Sequence, residues 1–274
     1  LRDDPEASAV LFARGDARSL DAPTVAIVGT RRCTTSGAGI AYELGRDLTN
    51  SGVCIVSGLA LGIDGAAHRG ALAATGPAPI AVVGSGLDVI YPRQNAALWH
   101  DVERAGAVLS EAPLGARPER WRFPDRNRII AGLADVVVVV ESRHAGGSMH
   151  TVDEADKRGI DVMAVPGSIR SAAAGGTNDL LAEGRAPVRD ADDVLMAIGL
   201  TTRVEPGGRD DRPPATDVAA VVLDAFEWQP VTGDHLTLRT GLPVPTVALA
   251  LAQLEADGWV VASGGWYERV ASTR

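Results

Sequence analysis

The sequence predicts an α/β protein: a doubly wound, mostly parallel sheet followed by a small winged-helix domain. Three observations predict it. Short β-branched apolar runs recur between amphipathic stretches from Thr24 onward. The runs lack polar alternation, so both faces of each strand are covered. Glycine-rich loops follow most of the runs, as successive βαβ units require.

The candidate strands are Val25 to Val28, Val53 to Val56, Ile80 to Val83, Ala107 to Leu109, Val136 to Val140 and Val162 to Val165. Helical patterns lie between them near Gly37 to Asn50, Asp64 to Ala74, Asn95 to Ala105 and Ser148 to Arg158. The unbroken valines from Val136 to Val140 mark a central strand. Ligands on such a sheet sit beyond the carboxyl ends of the strands. There the chain places Gly29-Thr30-Arg31-Arg32, Ser57-Gly58-Leu59-Ala60, Gly84-Ser85-Gly86 and the stretch from Glu141 to Ser148.

This first domain is expected over residues 1–200. Residues 201–216, TTRVEPGGRDDRPPAT, mix Pro, Gly and charge without periodicity and read as a linker. Residues 217–274 are expected to hold helices at Asp217 to Ala225, Gly233 to Arg239 and Pro245 to Asp257. A hairpin follows, from Trp259 to Ala262 and Trp266 to Val270 across Gly264-Gly265. That order is a winged helix.

With 274 residues, 46% hydrophobic and 22% charged, the chain can bury a sizeable core. No apolar run approaches the roughly 20 residues that span a bilayer, and no signal peptide opens the chain. A cytoplasmic location without a membrane partner is expected. The chain begins at Leu1 rather than Met, so an upstream segment is also expected. Cys33 and Cys54 are too few for a disulfide framework and lack zinc spacing, so neither a disulfide nor a metal is expected. Lys157 is the only lysine and lies between Asp156 and Arg158, which excludes a P-loop. The net charge of −9 opposes a wholly electrostatic DNA binder, so any nucleic-acid site must be local.

The most informative stretch is FPDRNRIIAGL, residues 123–133, read as a Phe-Pro turn entering an apolar helix. Arg117, Arg120, Arg122, Arg126 and Arg128 fall within twelve residues, against Glu119 and Asp125, with Trp121 and Phe123 interleaved. Guanidinium pairs bidentately with phosphate and a ring gives any base a stacking surface, so this is single-strand chemistry. The bland alternative is an arginine-rich surface loop whose aromatics cover the core. Gly146-Gly147-Ser148 opens a helix beyond a strand, where free N–H groups suit a phosphate. Its plainer reading is a glycine turn with Ser148 as N-cap.

Enzyme motifs fare worse. Gly29-Thr30-Arg31-Arg32-Cys33 is not G-x-G-x-x-G, and Ser57-Gly58 stands where a ribose-binding acid would be needed, so no dinucleotide cofactor is expected. Asp64 and His68, at i and i+4, suit an acid-base pair but more simply form a helix N-cap and a hydrogen-bonded histidine. His144 and His150 lack H-E-x-x-H spacing, and Val83 before Gly84-Ser85-Gly86 spoils a nucleophile elbow. No catalytic constellation emerges.

Taken in order, LFARGD, VAIVGTR, IVSGLALGIDGAAH, AVVGSGLDVIYPRQN, LSEAP, FPDRNRIIAGL, VVVVES, GGSMHTVDEA, AVPGS and GGTNDLLAEG resemble the bacterial DNA-processing protein A (DprA, or Smf) family from about Val10 to Leu195. The resemblance implies an extended Rossmann-like fold that binds single-stranded DNA, protects it and helps load the recombinase RecA in natural transformation, or competence. It also implies a homodimer. Carried onto matching positions, it implies a DNA pocket of Arg31, Arg120 and Phe123; joined to the arginine stretch and the glycine turn, the expected DNA site is Arg31, Arg120, Phe123, Arg126, Asn127, Arg128, Gly147 and Ser148. The chain departs from the family where GSLxTAxxA becomes Gly147-Ser148-Met149-His150-Thr151-Val152-Asp153-Glu154-Ala155, and where Arg120 replaces a lysine. The family's helical N-terminal domain is not among the residues.

The carboxy-terminal module resembles the family's winged-helix appendage. Its would-be recognition helix, VPTVALALAQLEADG, has Glu255 and Asp257 but no Lys or Arg, which disfavours a major-groove role. A competing enzyme reading is a phosphoribohydrolase of the lysine decarboxylase-like type, whose P-G-G-x-G-T-x-x-E loop is partly echoed from Ala145 to Glu154. The echo lacks the Pro and the second Gly-Thr step.

Overall fold

The computed structural model describes residue 4 and residues 6–200, 212–215, 217–226 and 230–270. The expected linker, 201–216, lies outside the described residues apart from 212–215. The chain folds as two compact units, residues 1–203 and 204–274.

Among the described residues of the first unit, eight strands form one sheet in the order β1-β5-β4-β3-β2-β6-β7-β8. They are β1 (Phe12–Gly15), β2 (Thr24–Val28), β3 (Cys54–Ser57), β4 (Ile80–Val82), β5 (Ala107–Ser110), β6 (Val136–Val139), β7 (Asp161–Ala164) and β8 (Ala186–Pro187). All pairings are parallel except β1 with β5. Strand β1 was not foreseen, because Phe-Ala-Arg-Gly is exposed along its whole length and lacks a buried run. The helices are α1 (Thr35–Asn50), α2 (Ile63–Leu72), α3 (Ala96–Ala105), α4 (Arg122–Leu133), α5 (Met149–Lys157), α6 (Gly175–Ala182) and α7 (Ala191–Ala197).

Strand side chains alternate between two covering layers. Val25, Ile27, Val136 and Val138 pack with Leu44 and Leu48 of α1 and Ala66 and Ala67 of α2. Ala26, Val28, Val137 and Val139 pack with Ile129 and Ile130 of α4 and Val152 of α5. Burial on both faces explains why these strands read as unbroken apolar runs.

FPDRNRIIAGL is a difference from expectation. It is not a turn before a helix; all of it lies in α4. Proline is tolerated in a first helical turn, where the amide it lacks would have no partner, so Pro124 does not break the helix.

The second unit contains α8 (Asp217–Asp224), β9 (Val231–Thr232), α9 (Gly233–Thr240), α10 (Val244–Ala256), β10 (Val260–Ser263) and β11 (Trp266–Arg269). The strands form a sheet ordered β10-β11-β9, with β10 and β11 antiparallel. Val222, Leu236, Val247, Leu251 and Leu254 fill its core. This is the winged-helix arrangement.

Helices α1 and α2 meet where neither can carry a side chain. A Cβ on Gly70 would overlap the Tyr42 carbonyl, and one on Gly45 would overlap the Ala67 carbonyl. Gly70→Ala is expected to destabilise the first unit by about 1–3 kcal/mol, the usual cost of overpacking. Thermal unfolding followed by circular dichroism checks it, and an unchanged melting temperature would show that the two helices can part freely.

Candidate nucleic-acid interface

Strands β2 and β6 are neighbours, yet the chain leaves β2 toward β3 and leaves β6 toward β7. The sheet therefore opens a crevice between their carboxyl ends, where ligands of doubly wound folds bind. The loop after β2 is tied to the loop after β6: Thr30 N–H donates to the Glu141 carbonyl at 2.7 Å. The Glu141 carboxylate accepts from Thr34 N–H at 2.9 Å and Thr34 Oγ1 at 2.6 Å. A carboxylate of the chain itself thus sits against the start of α1, where a dinucleotide fold would hold pyrophosphate.

A cavity of about 680 Å³ fills the crevice, and its lining comes from loops far apart in sequence. Arg31 and Arg32 follow β2, Arg120 precedes α4, Phe123, Arg126 and Asn127 belong to α4, and Arg143, Gly147 and Ser148 follow β6. Five arginines face it against one acid, Asp64. Despite the chain's negative charge, an anion is the ligand this wall suits. The Arg31 guanidinium carbon lies 4.8 Å from the Phe123 ring centroid, and the Tyr91 ring lies 5.5 Å from Phe123 at 37°. Guanidinium over a ring is a cation–π contact, and the pair offers a base a flat wall beside a positive charge.

Arg126 lies deeper than the other arginines. It is 5% exposed, its Nη1 donates to the Val82 carbonyl at the end of β4, and its Nη2 is 3.9 Å from Asp64 Oδ2. A Cβ on Gly58 would overlap the guanidinium, so a side chain after β3 would have to displace it. Burial pushes the Arg126 pKa down to about 10 while Asp64 holds it up, so the group remains charged at neutral pH. Burial pushes the Asp64 carboxyl above its usual value, opposed by Arg126 and by the N–H groups of Ala60 and Gly58. One guanidinium, packed against the backbone after β3, therefore joins α4 to the end of β4 and the first turn of α2.

Seven of the eight anticipated residues meet at the cavity: Arg31, Arg120, Phe123, Arg126, Asn127, Gly147 and Ser148. Arg128 does not. It lies on another side of α4, paired with Glu111 and Ser8. Arg122 sits over the Trp121 ring at 4.3 Å, and Trp121 Nε1 donates to Glu119, so these three residues pair with one another outside the lining.

Three local expectations are corrected. Gly62 caps α2, and Asp64 lies inside its first turn. His68 is fully buried, with the Ser57 backbone as a polar contact but no ring-nitrogen hydrogen bond of ordinary geometry, so it is less well satisfied than expected; burial pushes its pKa down to about 3 and keeps it neutral. Ser148 precedes α5 with helical backbone and makes no cap; its Oγ donates to Ser142 Oγ at 2.8 Å. Sequence reasoning missed Tyr91, Arg32, Arg143, His150 and Thr151 as lining. Arg143 was findable, since it lies in the loop after the central strand.

Fold and site define a Rossmann-like protein with an arginine-and-aromatic cavity at its switch point, followed in the chain by a winged-helix unit. The family model of DNA recombination-mediator protein A matches residues 1–199, and that of the DprA winged helix domain matches residues 208–265. The chain belongs to the DprA/Smf family. It is 36% identical to Protein Smf of Escherichia coli over 267 residues, covering 95% of this chain and 71% of that protein. It is 40% identical to a putative DNA processing protein DprA of Mycobacterium tuberculosis over 258 residues, covering 91% of this chain and 65% of that protein. Among solved structures, DNA processing protein A of Streptococcus pneumoniae superposes with a TM-score of 0.65 at 44% identity, covering 68% of this chain and 65% of that one. The protein from Helicobacter pylori, described for its single-stranded DNA binding mode, gives 0.65 at 33% identity, covering 72% and 88%. The chain thus spans only about two thirds of the length of several of these relatives.

The buried pair has a pH signature. Arg126→Leu would leave Asp64 buried without its neighbouring cation, an expected loss of about 3–5 kcal/mol at neutral pH. Because the Asp64 pKa is raised in the folded state, its uncompensated charge destabilises above that pKa and is relieved as pH falls through it. Denaturant melts should therefore show the variant's deficit shrinking toward acid pH, and a pH-independent deficit would count against the pairing.

Proposed function

We propose that the chain binds single-stranded DNA in the arginine-lined cavity and acts as a recombination mediator. The observation that carries the reading is Arg31 stacked on Phe123 in the wall of a cavity faced by five arginines. Phosphates run along the arginines and bases meet the rings, an arrangement open to a flexible strand and closed to a stacked duplex. The family assignment and the Helicobacter pylori relative's single-strand binding support the same reading.

In this proposal Arg31, Arg120, Asn127, Gly147 and Ser148 contact the strand, Phe123 stacks, Arg126 braces the wall from behind, and Arg128 takes no part. The bound strand is protected in the cytoplasm and passed to RecA during natural transformation, with residues 201–216 tethering the winged-helix unit. The role is non-catalytic. The hydrolase alternative needs the acid of its loop, but Glu154 is engaged by Lys157 and Arg158 and is not in the cavity wall. A gel shift comparing a single strand with its duplex tests the function; equal retardation of both would overturn it.

The protein is also proposed to act as a homodimer, the usual closed assembly of such chains. Light scattering at micromolar concentration should give twice the chain mass, and monomer alone would refute it.

Two substitutions separate phosphate pairing from stacking. Arg31→Ala should weaken single-strand binding by about 1–3 kcal/mol, the worth of a charge-assisted hydrogen bond. It should also flatten the dependence of log K on log salt by about 0.7 for each phosphate that is no longer neutralised. Phe123→Leu should weaken binding by a similar amount, about 1–3 kcal/mol, with the salt slope unchanged and the melting temperature within a few degrees. Wild-type affinity in Phe123→Leu would assign the ring to the scaffold.

A further inference from the structure

The loop that carries Arg31 has no regular secondary structure between Val28, the end of β2, and Thr35, the first residue of α1. Its conformation is set largely by one residue of another loop. Thr30 N–H donates to the Glu141 carbonyl at 2.7 Å, and the Glu141 carboxylate accepts from Thr34 N–H at 2.9 Å and from Thr34 Oγ1 at 2.6 Å. Glu141 therefore grips the loop on both sides of Arg31 and Arg32, the two arginines that this loop delivers to the cavity wall. Neither Glu141 nor Thr34 lines that wall.

The grip is closely built. Thr34 Oγ1 also accepts from Gly37 N–H at 2.9 Å, so the hydroxyl links the carboxylate to the first turn of α1. A Cβ on Gly37 would overlap the Glu141 carboxylate, and one on Gly29 would come within 2.8 Å of the Glu141 carbonyl oxygen. A carboxylate is nevertheless an unexpected neighbour for an anion site. On charge alone it opposes a phosphate held by the adjoining arginines. Order explains its presence where charge does not: a loop fixed before the ligand arrives loses its conformational entropy on folding rather than on binding, which favours affinity.

We propose that Glu141 is a positioning residue for the anion site: without touching the ligand, its carboxylate clamps residues 30–34 so that Arg31 is held in the cavity wall where a phosphate meets it. The proposal rests on the single-strand reading above and adds to it a residue outside the cavity that sets its affinity. A carboxylate that merely stabilised the amino-terminal end of α1 would lower stability when removed, but would leave the affinity of the folded protein unchanged or raised.

The test measures binding of a labelled oligothymidylate of about a dozen nucleotides by fluorescence anisotropy, with circular dichroism confirming the fold of each variant. Glu141→Ala should weaken binding roughly tenfold, the effect of misplacing one charge-assisted contact, although charge alone would make it bind more tightly. Glu141→Gln should bind at least as well as wild type. A carboxamide keeps the grip without the charge, its oxygen accepting from Thr34 N–H and its nitrogen donating to Thr34 Oγ1. Added to Arg31→Ala, Glu141→Ala should cause no further loss, since two substitutions that remove one interaction are not additive. From the other side of the clamp, Thr34→Val should weaken binding and Thr34→Ser should not, which keeps the test open if Glu141→Ala fails to fold. Wild-type or tighter binding by folded Glu141→Ala or Thr34→Val overturns the clamp and leaves the single-strand reading standing. So does a Glu141→Ala loss that adds in full to that of Arg31→Ala, or a Glu141→Gln protein as weak as Glu141→Ala. Failure of the wild type to bind the oligonucleotide overturns both.

Discussion

The buried Arg126 guanidinium is the constraint on which the ligand crevice depends. An unpaired charge in a protein interior is strongly unfavourable, so the surroundings must be arranged for it. Here the Val82 carbonyl, the Asp64 carboxylate and the bare Gly58 backbone receive it. Those partners lie at the ends of β4, in α2 and after β3, elements that parallel strand pairing alone would leave free to splay at their carboxyl ends. Phe123 stands three residues before Arg126 and hence on the same face of α4. Fixing the guanidinium therefore fixes the ring, and the ring in turn carries Arg31.

This arrangement reconciles an acidic chain with an anionic ligand. The field of −9 charges repels a distant polyanion, and the Debye length at physiological salt confines that repulsion to about 8 Å. Within the crevice the balance reverses, because arginines from three separate stretches of chain converge where the strand order switches. Lysine would serve poorly in Arg126's place. A compact ammonium is more strongly hydrated, so burial would strip more from it, and it cannot lie flat against a glycine backbone while reaching a carbonyl on one side and a carboxylate on the other.

Much of the sheet was legible because burial on both faces leaves a signature of unbroken β-branched runs, and β2, β3, β6 and β7 lie within a residue or two of the runs that marked them. Strand β1 was not, since an exposed antiparallel edge obeys no such pattern. At the site, motif order identified the right segments but not the direction of each side chain. Arg126 and Arg128 are equivalent as text, yet two residues along a helix turn a side chain by about 200°. One points into the protein beneath the cavity and the other toward Glu111. Tyr91 was missed for a different reason: it is a single residue in a loop whose path only the packed sheet determines.

The winged-helix unit shows why architecture and function need separate arguments. In groove-reading members of that fold the second helix of the pair enters the DNA and carries basic side chains. Here α10 exposes Val244 and Leu249, 59% and 75% accessible, with Glu255 beyond them, and has neither Lys nor Arg along its length. Bringing that surface to a phosphate backbone would release no counterions and would set a carboxylate against an anion, so the electrostatic term that supplies most non-specific DNA affinity is missing. The arginines that face a cavity together, five of them, line instead the crevice between β2 and β6. A domain that shares a fold with DNA readers can therefore accompany a nucleic-acid site without extending it, and the ligand chemistry argued for the first unit does not pass to the second by resemblance of fold.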